Sequence, residues 1–447
     1  MPRAPLRTLI ALALPMVLAR ATQSVITFAD VLQVKHLGAG AIAATATGGL
    51  NVVGFVILPM GTVFIVQSFV SQLAGRGDTE GAPRFAWYGL AIALVAAVGS
   101  AALIPAVEPA LALTGYSPGV RAAMSSYMAL RILSVGAIVG TEALGNWYGG
   151  LGNTWMQMIA GGITMAAAVC FNWVLIDGHL GAPAMGVDGA ALASTIASWL
   201  GFAFIAIAFF RRKRAARLGL SRRELGRVVR FGLPNGLNWF LEFAAFQLFV
   251  NVVMASLGDT TVAALNAVIA VNSVAFMPAF GLASAGAILA GRAIGRGTKD
   301  DVWPQMKITL YCTGAWMGAI GLVELALPRD VLSLFGDRDS QLVASGAPML
   351  AISALWQVFD AGGMTLAETL RAAGDTTWTA LVRLSLAWIV FAPSAYLVVR
   401  YTDAGAPGAM ACLVTYLGLL ALAFSLRFRS GAWRAIELIE PVLVPDR

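Results

Sequence analysis

Apolar runs of about 20 residues recur from end to end of this chain, and each is closed by glycine, proline or charge. No long polar segment is left over from which a soluble domain could be built. Only 12% of the residues are charged and 59% are hydrophobic, whereas a soluble domain carries about 25% charged residues. The pattern predicts an all-α polytopic membrane protein. Twelve transmembrane helices are expected at 8–33, 43–72, 84–106, 121–149, 155–177, 187–210, 228–255, 262–290, 303–327, 342–370, 376–400 and 406–427. Breaks fall at Gly75-Arg76-Gly77-Asp78, Ser117-Pro118-Gly119, Gly181-Ala182-Pro183, Gly295-Arg296-Gly297 and Ala406-Pro407-Gly408.

The formal charge of +7 does not indicate nucleic acid, because the bases lie in links between apolar runs. Arg3 and Arg7 precede the first helix, and Arg76 and Arg84 flank the link from helix 2 to helix 3. Arg211, Arg212, Lys213, Arg214, Arg217, Arg222, Arg223 and Arg227 crowd the link from helix 6 to helix 7. Arg292, Arg296 and Lys299 follow helix 8, and Arg427, Arg429 and Arg434 follow helix 12. The opposite links hold acids such as Glu108, Asp259, Asp337 and Asp339. By the positive-inside rule both termini are expected to be cytoplasmic. The run 211–230 reads as a linker. The first 23 residues share features with a signal peptide, but their pattern recurs in mid-chain, so they are read as a retained helix.

Cys170, Cys312 and Cys412 lie within apolar runs without a CxxC spacing, and His36 and His179 fall in links far apart. Neither a metal site nor a disulfide framework is implied. No HExxH or P-loop motif occurs, and no enzymatic activity or cofactor is expected.

The two halves echo each other at an offset near 220. Leu14-Pro15 matches Leu233-Pro234, Leu37-Gly38 matches Leu257-Gly258, and Pro59 matches Pro278. Gly75-Arg76-Gly77 matches Gly295-Arg296-Gly297, Gly152 and Thr154 match Gly374 and Thr376, and Gly186 and Gly189 match Gly405 and Gly408. Six helices per half keep the polarity, so two six-helix bundles related by a parallel pseudo-twofold repeat are expected. They divide as an N-lobe, 1–218, and a C-lobe, 219–447.

The acids do not follow the repeat: the register sets Glu242 opposite Thr22 or Gln23, and Asp360 opposite Ile138. An ionised carboxylate at mid-membrane costs about 2.5–3.5 kcal/mol on insertion scales. Glu242 and Asp360 are therefore the leading candidates for holding a cation, with Asp30 near the outer end of helix 1. Together Glu242 and Asp360 suit either a hard oxygen site for Na⁺ or a shared proton. Asp30 either faces the interior of its lobe or pairs at the interface with Lys35. Glu142 has no base one turn away and is a weaker candidate for a cavity-facing acid, and Glu324 is expected to reach the outer interface. Glu368 and Arg371 are expected to pair locally. Asn238, Trp239, Phe240, Phe243 and Phe246 flank Glu242, while Trp356 and Phe359 flank Asp360. Aromatic faces suit flat cations at about 0.5–2 kcal/mol per contact.

Taken in order, Leu14-Pro15, Phe28-Ala29-Asp30, Gly186-Val187-Asp188-Gly189-Ala190-Ala191, Gly232-Leu233-Pro234 with Glu242, and Asp360 upstream of Leu370-Arg371-Ala372-Ala373-Gly374-Asp375-Thr376 resemble the multidrug and toxic compound extrusion (MATE) family, particularly its NorM-like members. The likeness covers nearly the whole chain. It implies export of cationic or amphipathic organic compounds by alternating access, driven by Na⁺ or H⁺, from a bacterial cytoplasmic membrane. The chain is expected to act as a monomer. By resemblance the cation-binding residues are Glu242, Asp360 and Asp30, and the N-lobe polar cluster is Asn172 with Ser194 or Thr195. Asn172, Thr195, Asn238, Trp239, Phe243 and Trp356 are the expected cavity-lining or substrate residues. Ala168 and Trp356 stand where the family often has Asn and Tyr, which leaves Na⁺ against H⁺ open. The rival reading is a flippase for a lipid-linked precursor. It would call for several intramembrane bases, and Arg20, Arg131 and Arg383 are the few candidates.

Overall fold

The computed structural model describes residues 3–113, 116–212, 219–338 and 340–439. Lys213, Arg214 and Arg217 of the basic run, Asp339 and the expected lobe boundary at 218 lie outside the described residues. So do the side chains of Arg3, Arg212, Gln23, Phe28 and Ala29.

The described chain is helical and holds no strand. In order, α1 is Arg3–Val34, α2 is Ala39–Val63 continuing as Ile65–Arg76, and α3 is Ala82–Ala102. The bent pair Pro118–Ile132 and Val135–Gly150 forms α4, followed by α5, Trp155–Asp177, and α6, Gly186–Arg212. Next come α7, Arg222–Leu248 with a π turn at Phe249–Met254, α8, Asp259–Gly295, and α9, Val302–Ala326. The last three are α10, Gln341–Ala373, α11, Thr376–Ser385 resuming as Ala392–Tyr401 after a π turn at Leu386–Phe391, and α12, Gly405–Arg429. Ten of these helices are long and apolar enough to cross a bilayer, and the bent pair of α4 makes an eleventh. With the 32-residue α1 the described residues hold twelve long helices.

Three details depart from the sequence expectation. Helix 3 stops at Ala102, and a separate short helix covers Ile104–Ala112. Helix 4 bends by 40° between Ile132 and Val135. There the Ser134 hydroxyl donates to the Arg131 carbonyl at 2.6 Å, the kind of local bond that competes with the helical ladder. The expected linker 211–230 is helical from Arg222. Glu224, in the first turn of α7, accepts from Tyr88 Oη at 2.7 Å and pairs with Arg84 at 3.3 Å, which anchors that start on α3.

Two compact units are formed. The N unit is Leu18–Gly236 and the C unit is Met1–Val17 with Leu237–Arg447, so α1 and α7 each contribute to both. Within the N unit α2 and α3 pack on α4, and α4 and α5 pack on α6. Within the C unit α8 and α9 pack on α10, and α10 and α11 pack on α12. The internal repeat is thus visible as the same packing order. It also appears in the backbone. The paired glycines Gly38/Gly258, Gly77/Gly297, Gly152/Gly374 and Gly186/Gly405 have φ of 96°/104°, 83°/81°, 87°/91° and 57°/52°. Each pair turns the chain through the left-handed region that glycine enters without a Cβ clash. Pro15, Pro59, Pro234 and Pro278 all lie inside helices, in matched pairs.

Candidate functional site

The C unit carries the candidate cation site. Glu242 lies on α7 one turn beyond Asn238, so both share a face. Its Oε2 accepts from Arg383 Nη1 of α11 at 2.8 Å, and its Oε1 accepts from Tyr416 Oη of α12 at 3.0 Å. The Glu242 side chain is 32% exposed and that of Arg383 19%. The Arg383 guanidinium lies over the Phe424 ring at 5.5 Å, and the Tyr416 ring stacks on Phe391 at 5.3 Å. Trp388 Nε1 donates to the Leu241 carbonyl at 3.2 Å, fixing α11 against α7 beside the acid. Asp360, one turn beyond Trp356 on α10, accepts from the indole N–H at 3.4 Å. It lies within electrostatic reach of both Arg383 and Glu242. Two carboxylates and one guanidinium, all ionised, leave one unit of negative charge.

Sequence reasoning brought Glu242 and Asp360 together but missed their base and their hydroxyl. The sequence offers Arg383 only as a phosphate ligand and gives Tyr416 no mark. The available signal was the same one that marked the acids: a base within an apolar run needs a partner.

The N unit holds a second polar cluster. Asp30 is buried, accepting from Asn172 Nδ2 at 2.6 Å and Ser194 Oγ at 2.9 Å, with Arg131 in electrostatic reach. Its hydrogen bonds thus go to the interior of the unit. Ser194, and not Thr195, completes the cluster: the Thr195 hydroxyl donates to the Leu130 carbonyl at 3.0 Å. Asn172 is fully buried as a partner of Asp30.

Of the other expected lining residues, Asn238 is buried with its Oδ1 unpartnered, Trp239 meets the Phe280 ring edge at 6.1 Å, and Phe243 is half-buried. Glu142 is packed inside, paired with Arg20 at 3.0 and 3.2 Å and accepting from Gln157 Nε2 at 3.3 Å. Glu324 does not reach the interface: it is 1% exposed and bonded to Gln357 and Ser353. The expected Glu368–Arg371 pair forms, and both residues are buried.

A sequence profile of the MatE family matches residues 15–174 and 237–397, more than half of the chain. The chain belongs to this family, the MATE transporters, and is NorM-like. It is 28% identical to the probable multidrug resistance protein NorM of Pseudomonas putida, covering 98% of this chain and 96% of that one. It is 29% identical to the probable NorM of Deinococcus radiodurans, covering 97% of each. A solved MATE structure in complex with MaL6 superposes with a TM-score of 0.88 at 21% identity, over 97% of this chain and 98% of that one. A MOP superfamily transporter from Pyrococcus furiosus gives 0.87 at 21%, over 97% of each chain, and these likenesses concern the fold.

Proposed function

We propose that this protein is a secondary active multidrug exporter of the bacterial cytoplasmic membrane, with both termini cytoplasmic. It exchanges cationic or amphipathic organic compounds for Na⁺ or H⁺ by alternating access between an N-lobe and a C-lobe. The observation that carries the reading is the Glu242–Arg383–Tyr416 group with Asp360 in reach. Arg383 neutralises one carboxylate, so a single monovalent cation brings the group to zero charge. Neutrality lowers the cost of closing a polar site away from water. The ion then favours one conformation over the other, which is the differential binding that coupling requires.

Relatives bearing the NorM name support drug efflux as the task. Asn238, Trp239, Phe243 and Trp356 supply polar and aromatic surface near the acids for an organic cation. Asp30 with Asn172 and Ser194 is a second place where a cation can be held. The lipid-linked precursor reading is not adopted: Arg20 and Arg383 are committed to Glu142 and Glu242, which leaves Arg131 alone of the three candidate bases for a pyrophosphate.

Proteoliposomes with separately imposed Na⁺ and H⁺ gradients test the reading. Efflux of a fluorescent organic cation driven by one gradient and abolished in Glu242→Gln and Asp360→Asn is expected. Undiminished efflux in both variants would reject the assignment.

A further inference from the structure

A carboxylate outside the candidate site has an unusual hydrogen count. Glu324 sits two residues before the end of α9 and is 1% exposed. Its neighbours come from α8 and α10: Asn272, Ser353 and Gln357, all buried and all neutral. Asn272 is oriented by the backbone, since its Nδ2 donates to the Val268 carbonyl at 2.8 Å. The other Nδ2 hydrogen goes to Ser353 Oγ at 3.2 Å. Asn272 Oδ1 therefore faces Gln357 and accepts from its Nε2 at 2.7 Å. The second Gln357 Nε2 hydrogen goes to Glu324 Oε1 at 3.0 Å. Both amides are then fully spent as donors.

Ser353 has one hydroxyl hydrogen and two acceptors before it. The Leu350 carbonyl is at 2.7 Å and Glu324 Oε2 at 3.4 Å, so the hydrogen belongs to Leu350. Glu324 Oε2 is left without a donor. Gln357 Oε1, on a side chain 1% exposed, also has no hydrogen-bond partner. The network is short of hydrogens and not of acceptors.

No base corrects this. Among the described residues no charged group lies within electrostatic reach of Glu324. The bases on the surrounding elements, Arg292 on α8, Lys307 on α9, Arg371 on α10 and Arg329 in the adjoining helix Pro328–Leu332, make no ion pair with it. The last turn of a helix is also the negative end of its dipole, where an anion is disfavoured. We propose that Glu324 is a proton-binding site of the C unit, separate from the Glu242–Asp360 group, with the proton on Oε2 donated to Ser353 Oγ. One proton supplies the hydrogen that Oε2 lacks and removes an unpaired buried charge. It also joins α8, α9 and α10 through neutral bonds, three residues before Asp360 on α10.

Infrared spectra of the purified protein in lipid nanodiscs at neutral pH test this independently of transport. Glu324→Gln, which retains the shape and donor of the protonated acid, is expected to lose carboxylic-acid carbonyl absorption equal to one group. Ser353→Ala, which removes the acceptor, is expected to shift that band to higher wavenumber. Loss of carboxylate absorption in Glu324→Gln with the acid band unchanged overturns the proposal. Should Glu324→Gln not fold, an unshifted band in Ser353→Ala overturns it.

Discussion

The two units share a helix plan and treat the same meeting point in opposite ways. In the C unit α7 and α11 meet through charge, with Glu242 on Arg383 at 2.8 Å. An offset of 220 to 222 carries these residues to Thr22 and Gly161 on α1 and α5. There the helices meet by size: a Cβ on Gly161 would stand 2.8 Å from Thr22 Oγ1. The buried ion pair of the N unit, Glu142 with Arg20, lies elsewhere and is closed. The Glu142 and Arg20 side chains are 5% and 9% exposed, against 32% and 19% for Glu242 and Arg383. The difference teaches that turns, prolines and packing order persisted in both halves while ionic chemistry was placed afresh in each. A closed ion pair serves architecture; a half-open one with excess negative charge is what the proposed cation exchange requires.

Substitutions can sharpen or break that contrast. Glu142→Ala leaves Arg20 charged and buried, and is expected to lower stability by about 3–5 kcal/mol, read as thermal unfolding in detergent. A stable variant that merely fails to transport would erase the distinction drawn between the units. Asp360→Asn should instead keep its melting temperature while ion-driven efflux falls about a hundredfold, about 2.7 kcal/mol on the barrier. Unfolding in place of transport loss would make the C-unit group architectural too. Asn172→Ala removes the shorter of two bonds to Asp30, and a loss of about 1–3 kcal/mol in chemical denaturation is expected; no loss would place Asp30 in water. Gly161→Ala forces a methyl onto Thr22 and is expected to cost about 1–2 kcal/mol. Thr22→Ala added to it should recover most of that if contact is the cause. The smallest effect is expected for Trp356→Phe, where loss of one long N–H bond to Asp360 changes apparent ion affinity only a few-fold, about 0.5–1.5 kcal/mol. A flux assay at graded ion concentration reads it.

Much of the fold was legible because membrane helices are specified by long, redundant signals. Four of the six matched glycine pairs were readable since a positive φ favours that residue, while Gly75/Gly295 and Gly189/Gly408 lie inside helices. The bend in α4 was not readable, because Ser134 differs from any other serine only in where its hydroxyl points. Glu242 and Asp360 stood out as charges in apolar surroundings. Their base did not, since Arg383 is 141 residues from Glu242 and no local spacing links them. Glu324 was misplaced for a related reason. Proximity to a helix end implied water, whereas Asn272 and Gln357 from two neighbouring helices enclose it.

The π turns at Phe249–Met254 and Leu386–Phe391 lie just beyond Glu242 and Arg383 on their helices, with the Phe249 and Phe391 rings 5.1 Å apart. Each wide turn stores a residue of slack. Releasing it would advance everything downstream by about 1.5 Å and rotate it by about 100°, leaving the bonded acid and base where they stand. The C-terminal ends of both helices can thereby re-index as though on a vernier while the charged pair keeps its grip. Amide exchange faster at 250–254 than at 242–246 would reveal that play.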